Sequence, residues 1–355
     1  MPKSRVTARE IAISSGLSAS TVSKVLRGEG PTYGIRLEVQ QRILRMADEH
    51  GYCPNHMARA LKSGKTGLIA IVGASAGFPI RGIRQHDAAT ALTSKGYHVQ
   101  LFDFAWGRRP ELLMRDIDGL RPEGILVSEI EGPELISYVM RMQARGVPVV
   151  GLDFMPGVDV DQVYIDREAA GYLPAKRLIE LGHRRIAYAI SEGPGWHISH
   201  RKAGFQRALR EAGIEPSDDN VIPLGRMRNY YEAGAEVVRR GIVARGGYTA
   251  IAALSDQVAA GILCASLEAG IRVPGDLSLV GAEGLPESEF TAVPLTTAAF
   301  PMREVADRAV AFLVERIAGY NGPARSVKVA PHLEERRSCA RLADAAPSMK
   351  EQAAT

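Results

Sequence analysis

The chain of 355 residues is 46% hydrophobic and 24% charged, which excludes a largely disordered polymer and fits one small plus one large domain. No apolar run approaches the roughly 20 residues of a membrane span, and the three cysteines Cys53, Cys264 and Cys339 are far apart, odd in number and without metal-ligand spacing. The net charge of +4 divides unevenly: residues 1–66 carry eleven Lys and Arg against five Asp and Glu, or +6, which leaves −2 for the rest. Basic charge is therefore concentrated where a polyanion would dock. The thiols are expected to stay reduced, with Cys264 a small buried apolar side chain on a helix. The polar, basic start from Met1 to Arg9 resembles neither a signal peptide nor a transit peptide, so the expected location is the cytoplasm.

Thr7-Ala-Arg-Glu10 is a capping box that opens a first helix. Ser14-Ser-Gly16 turns the chain, and Ser18 caps a second short helix through Arg27. Ile11, Leu17, Val22, Val25 and Leu26 fall on facing sides, which leaves Ala19, Ser20, Ser23, Lys24 and Arg27 outward. A third helix is expected from about Leu37 to His50, with an apolar stripe of Val39, Ile43, Leu44 and Ala47. Two short helices across a tight turn, backed by a third, make a helix-turn-helix, whose second helix suits a DNA major groove. Gly28 to Gly34 forms a long glycine-rich loop before helix three. His56 to Lys62 reads as one more short helix.

From Gly67 onward, β-branched runs alternate with helical patterns: Leu68 to Val72, Val99 to Phe102, Gly124 to Val127, Val147 to Leu152, Ile186 to Ala189, Ala250 to Leu254 and Leu277 to Val280. This alternation predicts parallel sheets covered on both faces, with ligand-bearing loops at the carboxyl ends of the strands. No phosphate-binding glycine fingerprint, nucleophile elbow or zinc-protease motif occurs, and the eight histidines are scattered, so an enzyme is not expected. Neither a cofactor nor a metal is called for.

The arrangement Thr7-x-x-Glu-Ile-Ala12, Gly16-Leu-Ser18, Thr21-Val-Ser-x-Val-Leu26, then Gly51-Tyr-x-Pro-Asn-x-x-Ala-Arg-x-Leu61 resembles the lactose/galactose repressor family of transcription regulators. Gly146-Val-Pro-Val-Val-Gly-Leu-Asp153, Leu181-Gly-His-Arg-Arg-Ile186 and Ala269-Gly-Ile-Arg-Val-Pro-Gly-Asp-Leu-Ser-Leu-Val-Gly281 continue the likeness. The resemblance implies an all-α helix-turn-helix domain at 1–54, a hinge helix and linker at 55–66, and a two-lobed α/β domain of the periplasmic-binding-protein type at 67–341. Lobe one would take 67–167 and 295–322 and lobe two 168–294 and 323–341, with a disordered tail at 342–355.

The same likeness implies a homodimer on a two-fold operator, probed by a small-molecule effector, a sugar or an oxygenated or anionic metabolite, in the cleft between lobes. DNA contacts would fall on Thr7, Ser18, Ala19, Ser20, Thr21, Ser23, Lys24 and Arg27. From the hinge would come Asn55, Ala58, Arg59 and Lys62, with Leu61 wedged between base steps in the minor groove. Effector contacts would come from Arg81, Asp153, Phe154, Trp196, His197, Arg201, Asn229, Tyr230, Asp256 and Glu283. Departures from the family pattern include small Ala19 and Ser20 on the reading helix, Arg81 where an aromatic is usual, Arg167 for a common Asn, and Ala282-Glu283 for an aromatic and Asp. His183 is expected to fix a loop.

Overall fold

A computed structural model describes residues 6–53, 64–73, 78–103, 110–128, 133–193, 195–225, 229–241, 243 and 247–342. The chain forms two compact units, Met1–Thr66 and Gly67–Thr355. Asn55, Ala58, Arg59, Leu61 and Lys62, and the tail beyond Leu342, lie outside the described residues.

The first unit is built on α1 (Ala8–Ser15), α2 (Ala19–Leu26) and α3 (Leu37–Glu49). The capping box closes both ways: the Thr7 amide donates to Glu10 Oε2 at 2.6 Å and the Glu10 amide to Thr7 Oγ1 at 3.3 Å. Gly16 ends α1 in the left-handed region at φ 68°, which glycine adopts without a Cβ clash. Ser18 then accepts from the Thr21 amide at 3.0 Å and starts α2. Ile11, Ala12, Val22, Val25 and Ile43 form the small core. Leu44 departs from the stripe expected for α3 and is 51% exposed. Ile43 and Ala47 carry the buried line, with Val39, Met46 and Tyr52 packed at its edge, so three of the four expected residues face the core and Met46 takes the place expected for Leu44.

The second unit has two six-stranded sheets. The first, in the order β11-β5-β4-β3-β1-β2, uses β1 (Leu68–Gly73), β2 (His98–Asp103), β3 (Gly124–Val127), β4 (Val149–Gly151), β5 (Asp161–Ile165) and β11 (Ser326–Val329), all parallel. The second, in the order β12-β10-β9-β8-β6-β7, uses β6 (Ile186–Ile190), β7 (Val221–Pro223), β8 (Ala250–Ala253), β9 (Ser278–Glu283), β10 (Thr296–Ala299) and β12 (His332–Glu334). Only β12 runs antiparallel to its neighbour there.

Helices cover both sheets. The first carries α4 (Pro79–Ser94) and α11 (Met302–Ile317) around one buried cluster, with α5 (Pro110–Leu120) and α6 (Pro133–Ala144) over another. The second carries α7 (Arg167–Glu180), α8 (Trp196–Glu211), α9 (Tyr230–Arg239) and α10 (Asp256–Glu268).

The chain passes between sheets after β5, after β10 and after β11. The division therefore differs from the expected one at two places. Residues 296–299 belong to the second sheet, because β10 pairs with β9 and β12, and 326–329 belong to the first, because β11 pairs with β5. The outer crossing is pinned by Asp161, whose carboxylate accepts from Arg316 at 2.9 Å and Arg325 at 2.8 Å. His183, only 2% exposed, bridges Thr249 Oγ1 at 2.9 Å and the Ala340 carbonyl at 3.1 Å, which ties three distant segments together.

Cys264 is exposed rather than buried, since it faces out beside Glu268 on α10, and all three thiols are free. Among the described residues no helix is long and apolar enough to cross a membrane, and no acid, His or Cys cluster suits a metal.

Candidate functional site

Two surfaces carry chemistry. In the first unit, Thr7, Ser18, Ala19, Ser20 and Arg27 are exposed and Thr21, Ser23 and Lys24 are half-buried. The small residues leave the start of α2 open for close approach to a backbone or base edge. Around it the basic groups are ordered rather than free-swinging. The Lys24 ammonium lies 3.6 Å over the Tyr33 ring. Arg27 donates to Ser23 Oγ at 2.5 Å and pairs with Glu29 at 2.7 Å. Thus Tyr33 and Glu29, from the long loop, shape the basic face of α2. Gly30 of that loop lies against the Gln40 side chain of α3, whose Nε2 donates to the Ile35 carbonyl at 2.6 Å.

In the second unit a cavity of about 270 Å³ opens between the sheets. One side is formed by Phe78, Ile80, Arg81 and Arg84 at the start of α4, the loop Asp153, Phe154 and Pro156 after β4, and Met302 on α11. The other is formed by Arg167 on α7, Gly195, Trp196, His197 and Arg201 at the start of α8, Tyr230 on α9, Leu254, Ser255 and Gln257 after β8, and Glu283 at the end of β9. These are mostly the carboxyl ends of strands and the helix starts that follow them, where parallel sheets leave room for a ligand.

Asp153 organises the polar floor. It accepts from Arg84 at 2.8 Å, from Arg167 at 2.7 Å and from the Phe154 amide at 2.8 Å. Burial opposes its charge, but the Arg167 and Arg84 guanidiniums outweigh that cost and hold the carboxyl well below the usual range. Arg84 also donates to Ser128 through its carbonyl and, at 3.0 Å, its hydroxyl, so this arginine is largely committed to the protein. Arg201, 3% exposed, donates to the Leu254 carbonyl while its Nε has no partner.

The aromatic wall stacks Phe154 on Trp196 with centroids 4.4 Å apart, and Tyr164 meets both edge-on. Burial, with Arg201 and Arg167 nearby, lowers His197 to about 4, so it is neutral at physiological pH.

Glu283 stands at φ 105°, a region that non-glycine residues rarely occupy and that costs on the order of 1–3 kcal/mol. Burial pushes its carboxyl up to about 7, against the pull of Arg201. Eight of the ten expected ligand contacts line this cavity: Arg81, Asp153, Phe154, Trp196, His197, Arg201, Tyr230 and Glu283.

The other two do not line it. Asn229 turns its side chain to the amides of Tyr231 and Glu232, where it caps α9. Asp256 directs Oδ1 to Thr297 Oγ1 at 2.6 Å and Oδ2 to the Leu285 amide at 2.7 Å. It fastens the turn after β9 and so holds Glu283 in its strained pose. Burial raises this carboxyl to about 6 even with those donors in place. Arg84 escaped the sequence reading because only its i+3 spacing from Arg81 on one face of α4 signals it. Arg167 stood out there only as a departure from a common Asn.

Residues 7–55 match the family described as "Bacterial regulatory proteins, lacI family", and residues 175–339 match "Periplasmic binding protein-like domain". The chain belongs to the lacI family. The HTH-type transcriptional regulator DegA of Bacillus subtilis strain 168 is 29% identical over 308 residues, covering 85% of this chain and 88% of DegA. The HTH-type transcriptional repressor PurR of Mannheimia succiniciproducens is 28% identical over 341 residues, covering 95% of this chain and 99% of that protein.

Among solved structures, a transcriptional regulator CelR–cellobiose complex superposes with a TM-score of 0.69 at 26% identity, over 94% of this chain and 100% of that one. The lac repressor dimer bound to operator and the anti-inducer ONPF gives 0.77 at 21% identity over 95% of this chain and 99% of that one, a likeness of fold. This member of the lacI family therefore couples a helix-turn-helix to a two-lobed effector-binding domain of periplasmic-binding type, and is a transcription regulator rather than an enzyme.

Proposed function

We propose that the chain is a cytoplasmic, sequence-specific repressor that binds a two-fold operator as a homodimer and answers to a small molecule held between its lobes. The observation that carries this reading is the capped α2, which presents Ala19 and Ser20 flanked by Lys24 and Arg27 on the basic first unit. Such a face suits a major groove, and reading a two-fold operator takes two such heads about one helical turn apart. Few large side chains stand at the groove-facing positions, so base readout falls on Lys24 and Ser23 and on duplex deformability. The hinge contacts Asn55, Ala58, Arg59, Leu61 and Lys62 belong to the same reading.

The cavity supports the second half. Its polar floor and aromatic wall come from both sheets, so a ligand would favour one lobe arrangement over another and thereby bias DNA binding. The repressor names of the PurR relatives, and the cellobiose and operator named for the solved relatives, support this reading.

Selection of binding sites from random duplexes, followed by sedimentation of the protein on its best site, tests the first half. A two-fold consensus with two chains bound is expected. Lys24→Gln should relax the preference at one position of each half-site, by about 1–3 kcal/mol of discrimination. Equal loss on every sequence would make Lys24 a phosphate contact, and a single chain bound without any consensus would defeat the proposal.

A further inference from the structure

Among the described residues lining the cavity, the buried guanidiniums of Arg84, Arg167 and Arg201 meet the carboxylates of Asp153 and Glu283. Asp153 is shared by Arg84 and Arg167. Arg201 has no ion pair among the described residues, and the Nε atoms of both Arg167 and Arg201 are buried without a hydrogen-bond partner. Both cations flank one ring, their guanidinium carbons 5.5 and 5.3 Å from the centre of Phe300, and Arg167 acts on Arg201 electrostatically. Burial and the nearby Arg167 press the Arg201 pKa down, against the pull of Tyr188 and Glu283.

Glu283 and Arg201 attract each other without closing an ion pair among the described residues, and burial favours the neutral form of Glu283 up to about pH 7. A buried guanidinium without an ion pair is costly, and one kept at the floor of a cavity is a place for an anion supplied from outside.

We infer that the cleft takes a sugar acid: a polyhydroxylated compound of monosaccharide size whose carboxylate is received by Arg201 and Arg167. The inference rests on the reading of this cavity as the effector site. A planar carboxylate matches the two-pronged edge of a guanidinium, and such charge-assisted pairs are about twice as strong as neutral hydrogen bonds. The Phe154–Trp196 stack offers a sugar ring an apolar wall. Glu283, beside Arg201, accepts from a neighbouring hydroxyl when ionised. At about 270 Å³ the cavity is near the lower limit of ligand pockets, so it suits one ring rather than a chain of them.

The test uses the full-length protein in thermal unfolding and calorimetry with D-glucuronate, D-galacturonate and D-gluconate, their neutral parents D-glucose and D-galactose, and D-glucose 6-phosphate, each at millimolar concentration. At least one carboxylate should raise Tm while its neutral parent does not. Arg201→Gln should weaken that carboxylate about 30- to 100-fold, the loss of a charged hydrogen-bonding partner. Arg167→Gln, which leaves Asp153 paired with Arg84, should weaken it as well and serves if the first variant folds poorly.

No stabilisation by any carboxylate, a neutral parent that binds as tightly as its acid, a preference for the phosphate, or full affinity in both variants each overturns the inference. A neutral sugar that stabilises the wild type but not Trp196→Ala overturns the anion while leaving the cleft as the effector site. A sugar acid that binds yet leaves operator affinity unchanged does the reverse.

Discussion

The two units put their chemistry in opposite places. The helix-turn-helix carries its candidate contact residues on an exposed or half-buried face over a small core of Ile11, Ala12, Val22, Val25 and Ile43, whereas the cavity buries charge at its floor beside an aromatic wall. An exposed face needs a scaffold that holds it still. A buried charged site needs its own groups arranged so that each cation is compensated by the protein or by what it binds. The first unit is therefore most sensitive to its small core, the second to its ion pairs and anchors.

Ile43→Ala should have the largest effect, because this fully buried side chain sits at the centre of a core of few residues. A loss of about 3 kcal/mol is expected, enough to unfold so small a domain. Operator binding in a mobility-shift assay should vanish while ligand-induced stabilisation of the large unit persists. Loss of both together would break the contrast between the units.

Asp256→Ala comes next. It strands the Thr297 hydroxyl and the Leu285 amide, for about 2–3 kcal/mol in urea unfolding. Asp256→Asn, which keeps one acceptor, should lose less. Ligand affinity should fall in both through Glu283, although Asp256 does not itself line the cavity.

Leu61→Ala sharpens the reading of the first unit. If this side chain wedges between base steps, operator affinity should drop about tenfold and the bend measured by energy transfer should shrink together with it. An unchanged bend would remove the wedge from the account.

Glu283→Gln gives the smallest effect and a signed one. Because the folded protein holds this carboxyl near 7 against an ordinary 4.5, the folded state binds the proton more tightly, and ionisation costs stability as pH rises between those values. Arg81 on α4, Arg167 on α7, Arg201 on α8 and Asp256 on α10 are the charged groups facing it. The glutamine protein should be as stable as wild type near pH 4 and more stable above pH 7, by about 1 kcal/mol for a group that solvent partly reaches. A gain that does not change with pH would mean that relief of charge is not its source.

Legibility in the sequence followed the same contrast. The head was readable almost residue by residue, since caps, glycine turns and helical stripes are local signals; only Leu44 fell on the wrong side, one position around α3 from the buried line. In the large unit, strands built on branched apolar runs, such as β1 and β8, stood out. β10, with the sequence Thr-Thr-Ala-Ala, and β12, His-Leu-Glu, did not, because small or polar residues gain their place there from neighbours distant in sequence. That is why lobe boundaries slipped where the chain crosses between sheets. Among site residues, those at strand ends could be named, but which way a carboxylate turns could not. Asp153 faces two arginines in the cavity and Asp256 faces the turn behind it, a difference decided by sheet geometry rather than by residue type.

Two glycines set the distance between the arginines. A methyl group on Gly171 of α7 would run into the Arg201 carbonyl of α8, and one on Gly204 of α8 into the Glu168 carbonyl of α7. The two helices therefore meet backbone to backbone, and Arg167 and Arg201 ride on a joint with no slack. Anyone redesigning this protein as a sensor for a new compound should leave that joint untouched and vary Arg81 and Tyr230 instead, because retuning by shifting either helix would move both cations at once.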